Sequence, residues 1–449
     1  SMMDAAYLAK AQMAVELAQS KGASMSEAYV STGKETTIEI SNQQVEAMKM
    51  AEEHGIGVRV IHDGRIGFAY SSDLRESSIK TIVEQAIANA EKTHSDEYNV
   101  LPEKSTSYPN LELVDKTILE VPIEAKIALA KEIETAARTF DKRVKITEST
   151  SYQDSVYSIA IFNSNGVSAS YSGAYCGAYA YLVAEENGES QTGFDLEYSL
   201  RYENINPVKI GREAARKAVR MLGAKDIGTQ KATVVLDPYV ATNFLGVLAP
   251  ALSAEAVQKG KSVFAGKIGN KVSSSVITVI DDGALPGAVM SSPFDGEGVA
   301  TQETILIKDG VLHGFLHNSY TAAKEGIKST GNGIRGSFKG TPEVGTTNFF
   351  IKPGNVTQEE LLKDISKGLY VTEVMGMHTA NPISGDFSVG AAGILIENGI
   401  LTTPVRGIAI AGNIIDLLES VDLVADDLTF FVGRGAPTIR IPQMTISGS

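Results

Sequence analysis

A chain of 449 residues, 43% apolar and 21% charged, is long enough for two or three domains with substantial cores. Its formal net charge of −14 argues against a broad nucleic-acid surface, because phosphate binding needs clustered Lys and Arg. The acids stand in ones and twos, as at Asp281-Asp282 and Asp426-Asp427, which is the pattern of a solvated surface. The single cysteine, Cys176, rules out an intrachain disulfide and permits a reducing compartment; within SGAYCGAYAY it reads as a small buried residue.

In chain order, SMMDAAYLAKAQMAVELAQSKG carries Lys10 and Glu16 inside its apolar pattern and is expected to form an amphipathic helix, not a signal peptide. GVRVIHDGRIGFAYS turns at Asp63-Gly64, a pair that accepts the positive φ of a type I′ hairpin. Residues 73–93 place Ile79, Ile82, Val83, Ala86, Ile87 and Ala90 on one stripe, with Asp73 and Glu76 spaced as a capping box. Residues 122–139 start at Pro122 and align Ile123, Ile127, Ala130, Ile133 and Ala137. Hairpins follow at Asn165-Gly166 and Asn187-Gly188, then a helix over 207–222.

The polar turn GAKDIGTQ, 223–230, precedes a new strand, ATVVLD, and divides the chain. Residues 1–225 read as an α+β domain of helices and hairpins, and residues 226–449 as a β-rich domain. In the second part a helix is expected near 241–257, its apolar stripe formed by Phe244, Val247, Leu248, Ala251 and Leu252. Pro250 clashes with the carbonyl of Gly246 in a regular helix, so a kink or shortening is expected there. Further hairpins turn at Asp309-Gly310 and Asn398-Gly399, and Thr357 with Glu360 caps a short helix that Gly368 ends. Five hairpin signals in both halves predict an α+β fold with mostly antiparallel sheet, not the strand–helix alternation of a doubly wound fold. The longest uncharged stretch, 238–254, is too short to span a bilayer, so a cytoplasmic protein without a membrane segment is expected.

Of the six histidines, His54, His62, His94, His313, His317 and His378, only His313 and His317 have a ligand-like spacing. Their segment, VLHGFLHNS, reads as the return strand of a hairpin, where four residues span roughly 13 Å, too far to share one ion. His378 lies in the Gly-rich stretch 368–393 with Glu373, Asn381, Ser384 and Asp386. Irregular polar loops are where sites concentrate, which makes His378 and Asp386 candidate catalytic groups and Asn381, Ser384 and Asp386 candidate substrate contacts. The competing reading is a tight connection in which Asp386 caps a backbone group. One histidine and one carboxylate fall short of the three protein ligands of a catalytic zinc site. A Gly-x-Ser-x-Gly elbow is absent, and Gly260-Lys261-Ser262 lacks the strand-to-helix setting of a phosphate loop. The basic polar stretch 328–348 is either a grip for an extended peptide or a solvated loop.

GIGVRVIHDGRIGFAYSSDL, FAGKIGNKV, SSPFDGEGVATQETILIKDGVLHGFLHNSYTA, GLYVTEVMGMHTANPISGDFSVGAAGILIENG and PVRGIAIAGN run in order along nearly the whole chain and resemble the TldD/PmbA family, whose older name ties it to modulation of DNA gyrase. One branch of that family carries a zinc-binding His-Glu-x-x-x-His helix and a downstream cysteine; the PmbA branch, also called TldE, lacks them. Aligned on Gly260 to Gly269, the motif positions fall on Leu245, Gly246 and Pro250, and TFFVGRGAPTIRI contains no cysteine. The resemblance therefore implies the PmbA type: no metal in this chain, zinc in a TldD-type partner subunit, a homodimer as the alternative assembly, and small or unfolded peptides as substrates. It leaves two further readings, a stand-alone hydrolase built around His378 and Asp386, and a binding protein acting on gyrase.

Overall fold

The computed structural model describes residues 2–449, with Met2 and Met3 as backbone alone. The first half runs α1 (Met2–Ser20), β1 (Met25–Ser41), β2 (Gln44–His62), β3 (Arg65–Ser71), α2 (Glu76–Ala90), α3 (Lys116–Glu120), α4 (Ile123–Phe140), β4 (Val144–Asn163), β5 (Ser168–Glu186), β6 (Glu189–Ser199) and α5 (Pro207–Val219). Its six strands form one antiparallel sheet in the order β3-β2-β1-β4-β5-β6. Side chains alternate across a strand, and the sheet uses both faces. Ala28 and Val30 join a core with α1 and α2, and Ile38 and Ile40 join one with α4 and α5. Tyr29 and Ile161 turn the other way, against Phe294 and Phe338 of the second half.

The second half contains β7 (Gln230–Leu236), α6 (Pro238–Leu248), α7 (Ala254–Gln258), β8 (Val279–Asp282), β9 (Glu303–Lys308), β10 (Val311–Leu312), α8 (Ser319–Glu325), β11 (Gly333–Ile334), β12 (Glu343–Val344) and β13 (Phe349–Ile351). It continues with α9 (Gln358–Leu362), β14 (Lys367–Met375), β15 (Asp386–Glu397), β16 (Ile400–Asn413), α10 (Ile414–Ser420), β17 (Leu423–Val424), β18 (Thr429–Phe431), β19 (Arg434–Ala436) and β20 (Ile439–Ile446). Two six-stranded sheets result, β10-β9-β8-β13-β19-β18 and β16-β15-β14-β7-β20-β17, each mixed through one parallel pair. Helix α6 is buried with both: Phe244 meets Phe387 of β15 edge to face at 5.0 Å, and Val240, Leu245 and Leu248 share one core with Val279, Phe349, Leu369 and Val389. The fold is α+β. No helix among the described residues is long and apolar enough to cross a membrane.

Some of the local expectations hold and others meet a different outcome. Asp63-Gly64, Asn187-Gly188, Asp309-Gly310 and Asn398-Gly399 each show two consecutive positive φ values, as type I′ turns require; at Asn165-Gly166 only the glycine does. The capping box on α2 is absent: Arg75 holds the cap position without a side-chain bond, and the Asp73 carboxylate binds the Arg75 guanidinium instead. Pro122 occupies the N-cap of α4 rather than its first turn. Gly368 does not end α9; it lies inside β14. The return strand of the Asp309-Gly310 hairpin is only Val311–Leu312, so His313 and His317 lie beyond it. Pro250 does shorten α6, which stops at Leu248 and continues as a 3₁₀ turn over Ala249–Leu252.

Candidate functional site

One stripe of α6 stays out of the core. Tyr239, Asn243 and Gly246 of α6, and Pro250 in the 3₁₀ turn that follows it, line clefts on the molecular surface. Three such clefts adjoin. The first, about 330 Å³, and the second, about 420 Å³, share Thr346 and Arg434; the second and the third, about 510 Å³, share Glu255 and Lys259. The opposite wall is a single extended segment, 341–347, which contributes to all three. A helix facing an extended segment across adjoining clefts makes an elongated groove.

The wall is held from behind. The Asp281 carboxylate accepts from the Thr347 amide, the Thr347 hydroxyl and Asn332 Nδ2, each at 2.7 Å. Asn332 Nδ2 also donates to the Gly345 carbonyl, and the Gly345 amide returns a bond to Asn332. Burial pushes the Asp281 carboxyl up to about 6 against the pull of those donors. Along that same edge β12 pairs with β11 and with no other strand among the described residues. Backbone groups alternate across an antiparallel ladder, so with Gly345 bonded to Asn332, Val344 and Thr346 turn theirs away from β11. That is a free strand edge of the kind an extended peptide can extend.

Arg434 stands at the middle of the groove. It opens β19 and is exposed, and its side chain makes no hydrogen bond or ion pair with the described residues. Its guanidinium lies on the bare backbone of Gly246: a Cβ there meets Arg434 Nη1 at 2.3 Å. The turn before it contains Val432 at φ 62°, a left-handed conformation that a β-branched residue adopts only under constraint. Lys259 and Lys261 add positive charge along the groove, Lys259 being paired with Glu255 at 2.7 Å.

The positions that the family resemblance assigns to a zinc motif do not suit the metal. Leu245 is buried in the core, Gly246 has no side chain, and Pro250 lies beyond the end of α6; none supplies a donor atom, and the adjacent guanidinium repels a cation. No group of three or more His, Cys, Asp or Glu side chains among the described residues is arranged to hold a metal ion.

The residues singled out in 368–393 lie elsewhere. Asn381, Ser384 and Asp386 share one tight connection into β15. The Asn381 side chain accepts from the Ile383 and Ser384 amides, Ser384 Oγ accepts from the Asp386 amide, and Asp386 Oδ1 accepts from Asn413 Nδ2. His378 is exposed in a 3₁₀ turn and makes no hydrogen bond with the described residues. None of the four lines the groove. His313 is exposed, whereas His317 is buried, its Nδ1 3.0 Å from Thr321 Oγ1 and its pKa lowered by burial. The stretch 328–348, by contrast, supplies the groove wall. Arg434 was missed by sequence reasoning; the available signal was an arginine in the segment examined only for a cysteine.

Comparison with known proteins follows this geometry. Three family models match: the PmbA/TldA metallopeptidase domain 1 over residues 26–90, its central domain over 116–222, and its C-terminal domain over 229–448. The chain is 31% identical over 442 residues to the metalloprotease PmbA of Escherichia coli O157:H7, covering 97% of this chain and 94% of that one. Among solved structures it is similar to TldE from Thermococcus kodakarensis, with a TM-score of 0.91, 25% identity, and coverage of 98% of this chain and 100% of that one. A Thermotoga maritima protein named for a proposed modulation of a DNA gyrase gives a TM-score of 0.90 at 29% identity, covering 98% and 99%.

Proposed function

The chain belongs to the PmbA/TldD metallopeptidase family, and we propose that it is a PmbA/TldE-type component that holds extended peptides without cleaving them. Zinc and hydrolysis then belong to a TldD-type partner subunit in the cytoplasm, and a homodimer is the form taken without that partner. The observation that carries this reading is the seating of Arg434 on Gly246 at the helix position assigned to the motif's glutamate. A catalytic zinc site needs three ligands and a base; here the helix offers Leu245, Gly246 and Pro250, and a fixed positive charge takes the adjoining space. The groove itself is kept. Its 341–347 wall, pinned through Asp281, and its free β12 edge support capture of a peptide by strand addition.

The test is metal analysis of the purified chain together with peptidase assays of the chain alone, of a TldD-type protein alone, and of the mixture. The expected result is zinc well below one per chain, no cleavage by the chain alone, and cleavage by the mixture faster than by the TldD-type protein. Chelator-sensitive cleavage by the chain alone overturns the proposal. Size-exclusion chromatography with light scattering on the same samples reads the assembly.

A further inference from the structure

We infer that Arg434 binds the free C-terminal carboxylate of a peptide, whose last side chain enters the cleft between Tyr239, Met290 and Phe431. This rests on the peptide-holding reading of the groove and specifies which end of the peptide is recognised. Four observations meet at the residue. Its guanidinium is exposed and unpaired among the described residues, in a chain of net charge −14 that pairs most of its arginines. It borders two clefts at once. Gly246 has no Cβ, which any other residue would place 2.3 Å from Nη1. The turn that presents it is strained at Val432, and strain of about 1–2 kcal/mol in a β-branched residue persists only where the surroundings impose it.

A planar guanidinium matches a carboxylate in a two-point fork. The place along the groove selects which carboxylate. Beyond Arg434 the cleft of about 330 Å³ is lined by Tyr239, Met290, Phe431 and Val432. Two of its rings are braced edge to face, Tyr239 against Phe194 at 4.8 Å and against Phe431 at 5.0 Å. That space has room for one large side chain against the rings, with Thr242 and Asn243 beside it, and offers no free strand edge: past Thr347 the wall enters β13, whose two edges are taken by β8 and β19. On the near side the 341–346 segment and the free β12 edge run toward Lys259. A peptide lying along the wall therefore ends at Arg434, its terminal carboxylate on the guanidinium.

The test uses the full chain and fluorescence anisotropy with three N-terminally fluoresceinated pentapeptides: Gly-Ala-Ser-Ala-Phe as the free acid, the same peptide as the amide, and Gly-Ala-Ser-Ala-Glu as the amide. The expected result is tightest binding of the free acid, with amidation raising Kd about tenfold or more, the scale of a charge-assisted bond. In R434A the free acid and the amide bind equally; R434K recovers part of the difference; G246A, which displaces the guanidinium, reproduces the R434A result. Arg434 is exposed and unpaired, so R434A should melt like the parent, and the two Phe peptides on the unmodified protein test the idea without any variant. Equal binding of acid and amide overturns the inference and leaves the groove reading standing. A Glu amide as tight as the Phe acid overturns the assignment to the C-terminus. Failure of all three peptides to bind overturns the peptide-holding reading, and this inference with it.

Discussion

The two halves of the molecule are joined by a buried ionic cluster whose removal has a calculable cost. Glu27 on β1 is fully buried and accepts from Arg59 Nη2 at 2.5 Å and from Arg335 Nη2 at 2.8 Å; Arg59 Nη2 also reaches Glu297 at 3.0 Å. Glu27 and Glu297 thus set two negative charges against two positive ones, with side-chain exposure at or below 8% throughout. Burial alone would raise the Glu27 pKa, but the Arg335 and Arg59 guanidiniums outweigh it and hold the carboxyl below its ordinary value. Glu27→Gln keeps the shape and removes one charge, leaving one buried guanidinium charge unbalanced. Breaking a buried pair from one side costs about 3–5 kcal/mol, a large part of the 5–15 kcal/mol that holds a typical domain. The exposed pair Glu255–Lys259 serves as the control, because an i,i+4 surface pair contributes about 0.3–0.5 kcal/mol. Urea unfolding followed by circular dichroism and by tyrosine fluorescence, the chain having 16 Tyr and no Trp, reads both variants. The pH dependence adds a second readout. A carboxyl with a lowered folded pKa contributes stability above its unfolded value that is lost as pH falls through the folded one, so Glu27→Gln should lose less between pH 5 and pH 3 than the parent. A loss below about 1 kcal/mol, equal to that of Glu255→Gln, refutes the reasoning, for it would mean that the cluster is solvated.

The remaining predictions concern the groove and the core. Asp281 has a folded pKa raised by burial to about 6, so its contribution is present at low pH and declines as pH climbs from about 4 to about 6; in Asp281→Asn that decline, about 3 kcal/mol, should vanish from urea midpoints measured across the window. The same variant faces an amide to the Thr347 N–H, and hydrogen exchange over 341–347 should rise; unchanged protection there counts against a pinned wall. Val432→Gly releases a left-handed β-branched residue and should stabilise the fold by about 0.5–1 kcal/mol net of the glycine's own entropy, while weakening binding of a free-acid peptide through a less fixed Arg434. The Cys176 thiol is pushed up to about 12 by burial and the Asp154 carboxylate, so an aromatic disulfide reagent at pH 8 should react only after denaturant is added. The triple variant L245H/G246E/P250H should still bind zinc far below one equivalent by metal analysis, because Leu245 is buried in the core and residue 250 lies past the helix end.

The sequence was most legible where one residue pair decides the backbone. Asn187-Gly188, Asp309-Gly310 and Asn398-Gly399 accept positive φ at little cost, and each turn lies where that chemistry predicts. The β1–β2 hairpin went unseen because its turn is Asn42-Gln43, with φ values of 52° and 59° and no glycine. It is held instead by a tertiary partner, the Glu134 carboxylate of α4, which accepts the Asn42 amide at 2.8 Å and the Gln43 amide at 2.6 Å. Asp73 shows the reverse case: it has the capping-box spacing, but Arg75 two residues away competes for the carboxylate and wins. The groove was half legible. Residues 328–348 read as either a peptide grip or a solvated loop, since pinning by Asp281 across 66 positions leaves no local signature. The pairing of Glu27 with Arg335, 308 positions apart, is invisible for the same reason.

Gly246, Pro250 and Arg434 make more sense together than one at a time. With glycine at 246 the guanidinium approaches the helix backbone; any side chain there forces it away, and a carboxylate there would neutralise it. Pro250 ends α6 a turn early, and Ala254 then hydrogen-bonds the Leu316 carbonyl, so the chain past the helix is committed to a different partner. Two separate segments, the end of α6 and the turn before β19, thus define this position together. The wall over 341–347 depends on neither: it is pinned from behind through Asp281 and Asn332. Under the proposed peptide-holding function this division has a physical logic: the wall supplies backbone partners, and the guanidinium beside it binds anions but activates no water.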